Sequence, residues 1–366
     1  MAGSVPPRSG PYRIVQRIGV GAMAEVFLAE GPAADAGSAF YALKRILPQL
    51  AEEKETVSMF LDEARLAALL VHPSICRVYG LEDDGESRFQ VMEWIDGVSL
   101  RWMIDAARAT GGLPVDVVAR IGMDVAEALD YAHVARNSRG LPLGVVHRDV
   151  TPPNVMVGFD GKVKLLDFGL AKARTQLQRT RPGYVKGKFG YIAPEQLGGM
   201  FDPRTDVFQL GLCLHEALTG ERVFPEDTAA AAVAAVGAYE GPPPIRTRRP
   251  DVPPELEVVV HKALARHPDE RWWTAGALRT ALHQAVRGDV ADSPRMAMAL
   301  DTLLPSDARP APPRPSAPAP SAAQTAAAAV DAPVVRRSVA GWLWIVLVVM
   351  IGLVGFFATT LYLLAR

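Results

Sequence analysis

The stretch from Val146 to Leu170, VHRDVTPPNVMVGFDGKVKLLDFGL, holds two acidic residues, Asp149 and Asp167, with Asn154 between them. It alternates loops with two short β-branched or apolar runs, Val155 to Val157 and Val163 to Leu166, which read as a small hairpin. Strands that short make stiff mounts for the polar groups at their ends. An Asp that accepts a proton, with an Asn and a second Asp that can hold hard cations through oxygen, makes a metal-assisted phosphoryl-transfer site. Gly169, directly after Phe168, lets the chain turn away. A lone Asp in a loop is ordinarily a turn or helix-capping residue, so the inference rests on all three residues at this spacing.

HRD, then an Asn five residues after its Asp, then DFG resemble the protein kinase family in order and spacing as well as in letters. The resemblance covers about three-quarters of the chain and implies an α+β, bilobal protein kinase-like fold. Its N-lobe would be a five-stranded sheet plus a helix, and its C-lobe mainly helical. The same resemblance implies ATP as phosphoryl donor, Asp149 as catalytic base, and Asn154 and Asp167 as holders of Mg (or Mn). His147 and Phe168 would pack together in an apolar spine.

In chain order, residues 1–10 read as a loose leader. Tyr12 to Ile18 and Glu25 to Ala29 read as strands around Gly19-Val20-Gly21-Ala22-Met23-Ala24, the place of the family's glycine-rich loop, with Ala24 at the position of the third glycine. Phe40 to Arg45 is a strand whose Lys44 stands where the family has its VAIK lysine. The helix expected from about Thr56 to Leu70 carries Val57, Phe60, Leu61 and Ala64 at helical spacing, and resemblance assigns its Glu63 as partner of Lys44. Ile75 to Leu81 and Arg88 to Glu93 complete the sheet and run into a hinge. Met92 would be the gatekeeper, with the Glu93 carbonyl and the Ile95 backbone on the adenine edge. Ile18, Val26, Ala42, Met92 and Met156 would wall the nucleotide pocket, although each reads equally well as plain core.

The N-lobe is therefore placed at residues 11–94 and the C-lobe at 95–288. Helices are expected from Leu100 to Ala109 and from Val115 to His133, followed by a surface hairpin in ARNSRGLPLG. By matched position, Asp206 would brace the catalytic loop from beneath and Arg271 would pair with Glu195. Two positions depart from the pattern. Where serine/threonine kinases carry Lys two residues after the catalytic Asp, this chain has Thr151. Where their activation segment carries Thr, it has Lys188 in GKFGYIAPE. An exchange of roles is the expectation, with Lys188 supplying the cation and Thr151 the hydroxyl beside Asp149. Loss of activity, giving an ATP-binding pseudokinase that serves as a membrane scaffold, is the alternative. Arg148 before Asp149 marks the subtype whose activation segment is phosphorylated, and Thr180, then Thr175, are the candidate autophosphorylation sites. Pro152 after Thr151 favours Ser/Thr over Tyr as acceptor.

A formal net charge of -1 gives no case for a nucleic-acid partner. The two cysteines, Cys76 and Cys213, sit in apolar surroundings at neither disulfide nor zinc spacing and read as buried thiols. No apolar core marks the first ten residues as a secretory signal. Residues 289–341 shift to Ala, Pro and Ser and read as a linker, with MAMALDTLL a transient helix at most. Trp342 to Leu364 carries no charge and, at ~1.5 Å per residue, is long enough for a bilayer core of ~30 Å. Arg336 and Arg337 precede it and only Arg366 follows, which places the kinase in the cytoplasm on a single-pass anchor in the inner (plasma) membrane. Protein substrates, the membrane and a second copy of the chain are the partners this reading allows.

Overall fold

The computed structural model of the chain describes residues 8–21, 23–32, 40–83, 88–168, 189–225 and 228–304. All belong to the first of two compact units, Met1–Pro315; the second, Ser316–Arg366, lies outside the described residues. So do the expected transmembrane helix, most of the expected linker, Ala22, Thr175, Thr180 and Lys188.

Six antiparallel strands form the N-lobe sheet: β1 (Arg8–Ser9), β2 (Tyr12–Val20), β3 (Ala24–Glu30), β4 (Phe40–Ile46), β5 (Val78–Asp83) and β6 (Arg88–Glu93), in the order β1-β2-β3-β4-β6-β5. Five strands were expected. The sixth comes from the supposed leader, where a tight turn folds Ser9 back onto Tyr12 and Arg8 onto Arg13. Two residues carry too little alternation to register as a strand. The strand expected from Ile75 starts later, at Val78; Ile75 instead makes an isolated bridge to Leu165.

The alternation of β-strand side chains gives this sheet two faces. Phe27, Leu43, Phe89 and Val91 pack on one. Ala42 and Met92 gather on the other with Ala67, Cys76 and Val78. Helix α1 (Lys54–Ala68) buries Thr56, Phe60, Glu63, Ala64 and Ala67, a single stripe at helical spacing. Glu63 is thus carried into the interior by the apolar residues around it.

The helical half begins at the strand β7 (Gly97–Ser99), which pairs with β8 (Val155–Gly158); β8 in turn pairs with β9 (Val163–Leu165) in the expected hairpin. Helices α2 (Leu100–Ala107) and α3 (Val115–Val134) pack on these strands, followed by α4 (Pro203–Thr219), α5 (Ala229–Gly237), α6 (Pro254–Ala263) and α7 (Ala275–Ala285). Asp202 caps α4 through the Arg204 amide at 2.7 Å with Pro203 in the first turn, and Gly220 closes it in the left-handed conformation. From Thr205 to Thr219 every residue of α4 is buried. The hairpin between α3 and the catalytic stretch forms as expected, with Arg136 bridging Pro142. Arg271 makes a two-pronged ion pair with Glu195, both contacts 2.7 Å, in a buried setting. Cys76 and Cys213 are free and buried, and burial pushes both thiols up in pKa.

One helix stands where a linker was expected. α8 (Ser293–Leu303) buries Met296, Ala299 and Leu300 in the C-lobe core, so the folded body passes the boundary placed at residue 288. The Ala/Pro/Ser composition that follows obscures a short apolar stripe whose partner surface is visible only in three dimensions.

Candidate active site

Lys44 lies on β4 between Val26 of β3 and Gln90 of β6, so the pleat sends its side chain toward α1. Its ammonium stands 3.0 Å from Glu63 Oε1 and 2.8 Å from Asp167 Oδ1. Burial alone would lower its pKa, but the charges of Asp167 and Glu63 more than reverse this and hold it above the ordinary lysine range. The amine is therefore a fixed cation. One side chain ties together the sheet, the helix and the end of the β8–β9 hairpin.

Asp149 and Asn154 meet on the other side. The Asn154 amide nitrogen donates to the Asp149 carbonyl at 2.8 Å and to its carboxylate at 2.9 Å. This leaves the Asn154 side-chain oxygen as an acceptor for a cation. Its main-chain carbonyl accepts from the Leu166 amide at 2.8 Å, which couples its position to the stretch entering Asp167. Asp167 itself adopts a positive φ of 45°, as does Arg148 at 66°. Backbone strain of this kind persists only where surrounding contacts over-determine it. At Arg148 those contacts are clear: Asp206 accepts from the His147 and Arg148 amides at 2.8 and 2.7 Å, the brace expected of it. The His147 and Phe168 rings meet at a tilt of 53° with centroids 4.7 Å apart, and the imidazole Nε2 lies 2.7 Å from the Leu166 carbonyl.

Val26, Ala42, Met92 and Ile95 gather in one apolar cluster, as expected for a pocket wall. Ile18 stands apart at 40% exposed, and Met156 is half-buried on β8. The glycine-rich turn closes by a 2.7 Å bond from the Gly21 amide to the Ala24 carbonyl. A Cβ added at Gly19 would meet nothing within 4 Å, leaving open space above the backbone for a ligand. Thr151 is buried, and its hydroxyl finds no partner among the described residues.

Several contributors escaped the sequence reading. Cys76, Val78, Ala67 and Leu166 complete the apolar wall. Lys164 on β9 pairs with Glu93 at 2.8 Å, and the Glu93 carboxylate also accepts from the Arg77 amide at 3.1 Å, pinning the hinge to the hairpin. Gln209 donates to the carbonyls of Arg148 and Tyr191, each at 3.1 Å, and accepts from the Val150 amide at 3.0 Å. The one signal for Gln209 was its place within the apolar run that follows Asp206, three positions along α4.

Such a site supplies a base, a fixed cation and two oxygen donors for a hard metal, the set that phosphoryl transfer uses. The described residues fit Mg: an amide oxygen and a carboxylate are hard ligands, and few protein ligands are needed where substrate phosphates complete the shell. The family model for the protein kinase domain matches residues 12–283. The tyrosine-protein kinase MasK of Myxococcus xanthus is 43% identical over 275 residues, which are 75% of this chain and 42% of MasK. The serine/threonine-protein kinase PknB of Mycolicibacterium smegmatis is 36% identical over 298 residues, 79% of this chain and 45% of PknB. The chain thus spans less than half the length of these curated relatives. Among solved structures, the PknI kinase domain of Mycobacterium tuberculosis superposes with a TM-score of 0.57 at 30% identity, covering 78% of this chain and all of that one.

Proposed function

Because this chain belongs to the protein kinase family, we propose that it transfers the γ-phosphoryl group of ATP to Ser/Thr hydroxyls of proteins from a membrane-anchored position. The observation that carries the reading is the Lys44 ammonium held by Glu63 and Asp167 at once, with Asn154 fixed on Asp149 at the same open end of the hairpin. Lys44 binds the α/β-phosphates. Asp149 orients the substrate hydroxyl and takes its proton as the oxygen attacks the γ-phosphorus; the bond to the β-phosphate oxygen breaks and ADP leaves. Asn154 and Asp167 would hold Mg (or Mn), which when bound neutralises charge on the β- and γ-oxygens. Val26, Ala42 and Met92 exclude water around the adenine, with the Glu93 and Ile95 backbone on its polar edge.

Thr151 and Lys188 act as an exchanged pair beside Asp149, and the buried Thr151 hydroxyl, without a partner among the described residues, supports a role toward a group arriving at that point. Thr180, and after it Thr175, receive phosphate in an autophosphorylation step, and Arg148 is the proposed partner of that phosphate. Ser/Thr preference is supported by Pro152 and by PknB, while MasK, the more similar of the two, carries a tyrosine-kinase name. Incubation with radiolabelled ATP, a generic basic protein and Mg, followed by phosphoamino-acid analysis, tests the assignment. Label on Ser or Thr, lost in Asp149→Asn, is the expected result. Nucleotide binding without any transfer would leave the pseudokinase, and label confined to Tyr would reverse the specificity.

Among the described residues no helix is long and apolar enough to cross a membrane. The anchor we propose, Trp342 to Leu364, is supported by its uncharged length and by the basic residues before it. Chains ending at residue 341 should leave the membrane fraction with transfer activity intact; retention of that shortened chain on membranes would refute the anchor.

A further inference from the structure

Helix α8 lies beyond the residues matched by the protein kinase domain, yet it is built into the C-lobe. Met296 and Leu300 are fully buried. Its start is fastened to α3: the Ala291 carbonyl accepts from Arg120 at 3.0 Å, and Arg295 pairs with Asp116 at 2.8 Å.

The start of α8 lies against the turn of the β8–β9 hairpin, at the end away from Asn154 and Asp167. Gly161 sits there at φ +78°, and a Cβ added to it would stand 2.7 Å from the Ser293 Cα and closer still to the Ser293 carbonyl oxygen. Backbone therefore meets backbone, an approach that only glycine permits. On its other side the same turn is held by the hinge, through the Phe159 amide on the Asp96 carbonyl at 2.9 Å. The hairpin has strands of four and three residues. A hairpin that short has little stability of its own and takes its tilt from β7, from the Ser74 and Cys76 backbone at its open end, and from what packs on its turn. Asn154 immediately precedes one strand and Asp167 follows the other by two residues, so a tilt of the turn changes where both donors point.

We propose that α8 is a positioning element for phosphoryl transfer: seated by Met296, it sets its Ser293 backbone against the Gly161 turn and so fixes the placement of Asn154 and Asp167 toward the metal. This inference rests on the protein kinase reading above. The test uses the full chain carrying Gly161→Asn, because Asn tolerates a left-handed backbone while its Cβ pushes Ser293 away. Gly140→Asn is the control; that glycine has φ +76° and open space around it.

The expected result is a rise of about ten-fold in the Mg concentration that half-saturates transfer, the size typical of lost outer-shell support, with the control unchanged. A second readout needs no catalysis: the Mg-dependent part of the melting-temperature rise given by ADP shrinks in Gly161→Asn and not in Gly140→Asn. A chain that transfers no phosphate at all would refute the kinase reading, and the ADP measurement would still judge α8. Half-saturation within about two-fold of wild type, with the ADP effect intact, overturns the proposal. Should Gly161→Asn fail to fold, Met296→Ala carries the same expectation, and a lower melting temperature with unchanged Mg dependence overturns it equally.

Discussion

The two carboxylate partners of Lys44 come from segments far apart in the chain, and removing it takes from Glu63 and Asp167 the cation they share. Lys44→Met should lower the transfer rate by about 10²-fold or more, since a preorganised cation at the phosphates is lost, while circular dichroism stays that of the folded chain. His215 offers a different measurement. It is buried on α4, with Nε2 3.1 Å from the Pro243 carbonyl, and burial lowers its pKa from the ordinary value of 6.5. A histidine depressed in this way binds its proton more readily once unfolded, so stability falls as pH drops below the unfolded value. His72 shifts in the same direction through burial. Melting temperature recorded from about pH 7.5 to 5.5 should decline, and His215→Gln should make that decline shallower.

α4 is the element on which the catalytic loop rests. Asp206, Gln209, Cys213 and Glu216 recur at helical spacing along one side of it and meet, in turn, the His147 and Arg148 amides, the Arg148 and Tyr191 carbonyls, the Val150 carbonyl, and Arg101. Gln209→Met would leave buried backbone groups unpaired and should cost about 1–3 kcal/mol in urea denaturation, with a lower transfer rate because the Arg148 carbonyl and the Val150 amide beside Asp149 lose their partner. Among these, only Asp206 was legible beforehand, as part of a motif whose position could be matched. Lys44, Glu63, Asp149, Asn154 and Asp167 were legible for the same reason: their spacing is set by chemistry. Gln209 and the Lys164–Glu93 pair were not, because a single polar residue carries no periodicity and its partner lies far along the chain. β1 and α8 were missed for want of length, since two residues or one short apolar stripe beside a proline-rich run cannot outweigh composition.

At the scale of the whole molecule, one large apolar cluster unites the described residues of the C-lobe, and residues 136–141 of the hairpin after α3 stand outside it. Arg136 to Leu141 fold on themselves through the Asn137 side chain, which accepts from the Arg139 and Leu141 amides at 2.9 and 3.1 Å. Replacing residues 136–141 by a short Gly-Ser link, with Leu143 kept against the core, should leave the melting temperature and the choice among protein substrates unchanged; an altered substrate profile would instead make the hairpin a docking element. The thiols have a practical corollary for any such experiment. Cys76 and Cys213 are buried, and their raised pKa values keep the reactive thiolate scarce. A maleimide dye or nitroxide will therefore ignore both and react with a single cysteine introduced at an exposed position such as Val258, so the native chain already serves as a silent background for site-directed spectroscopy.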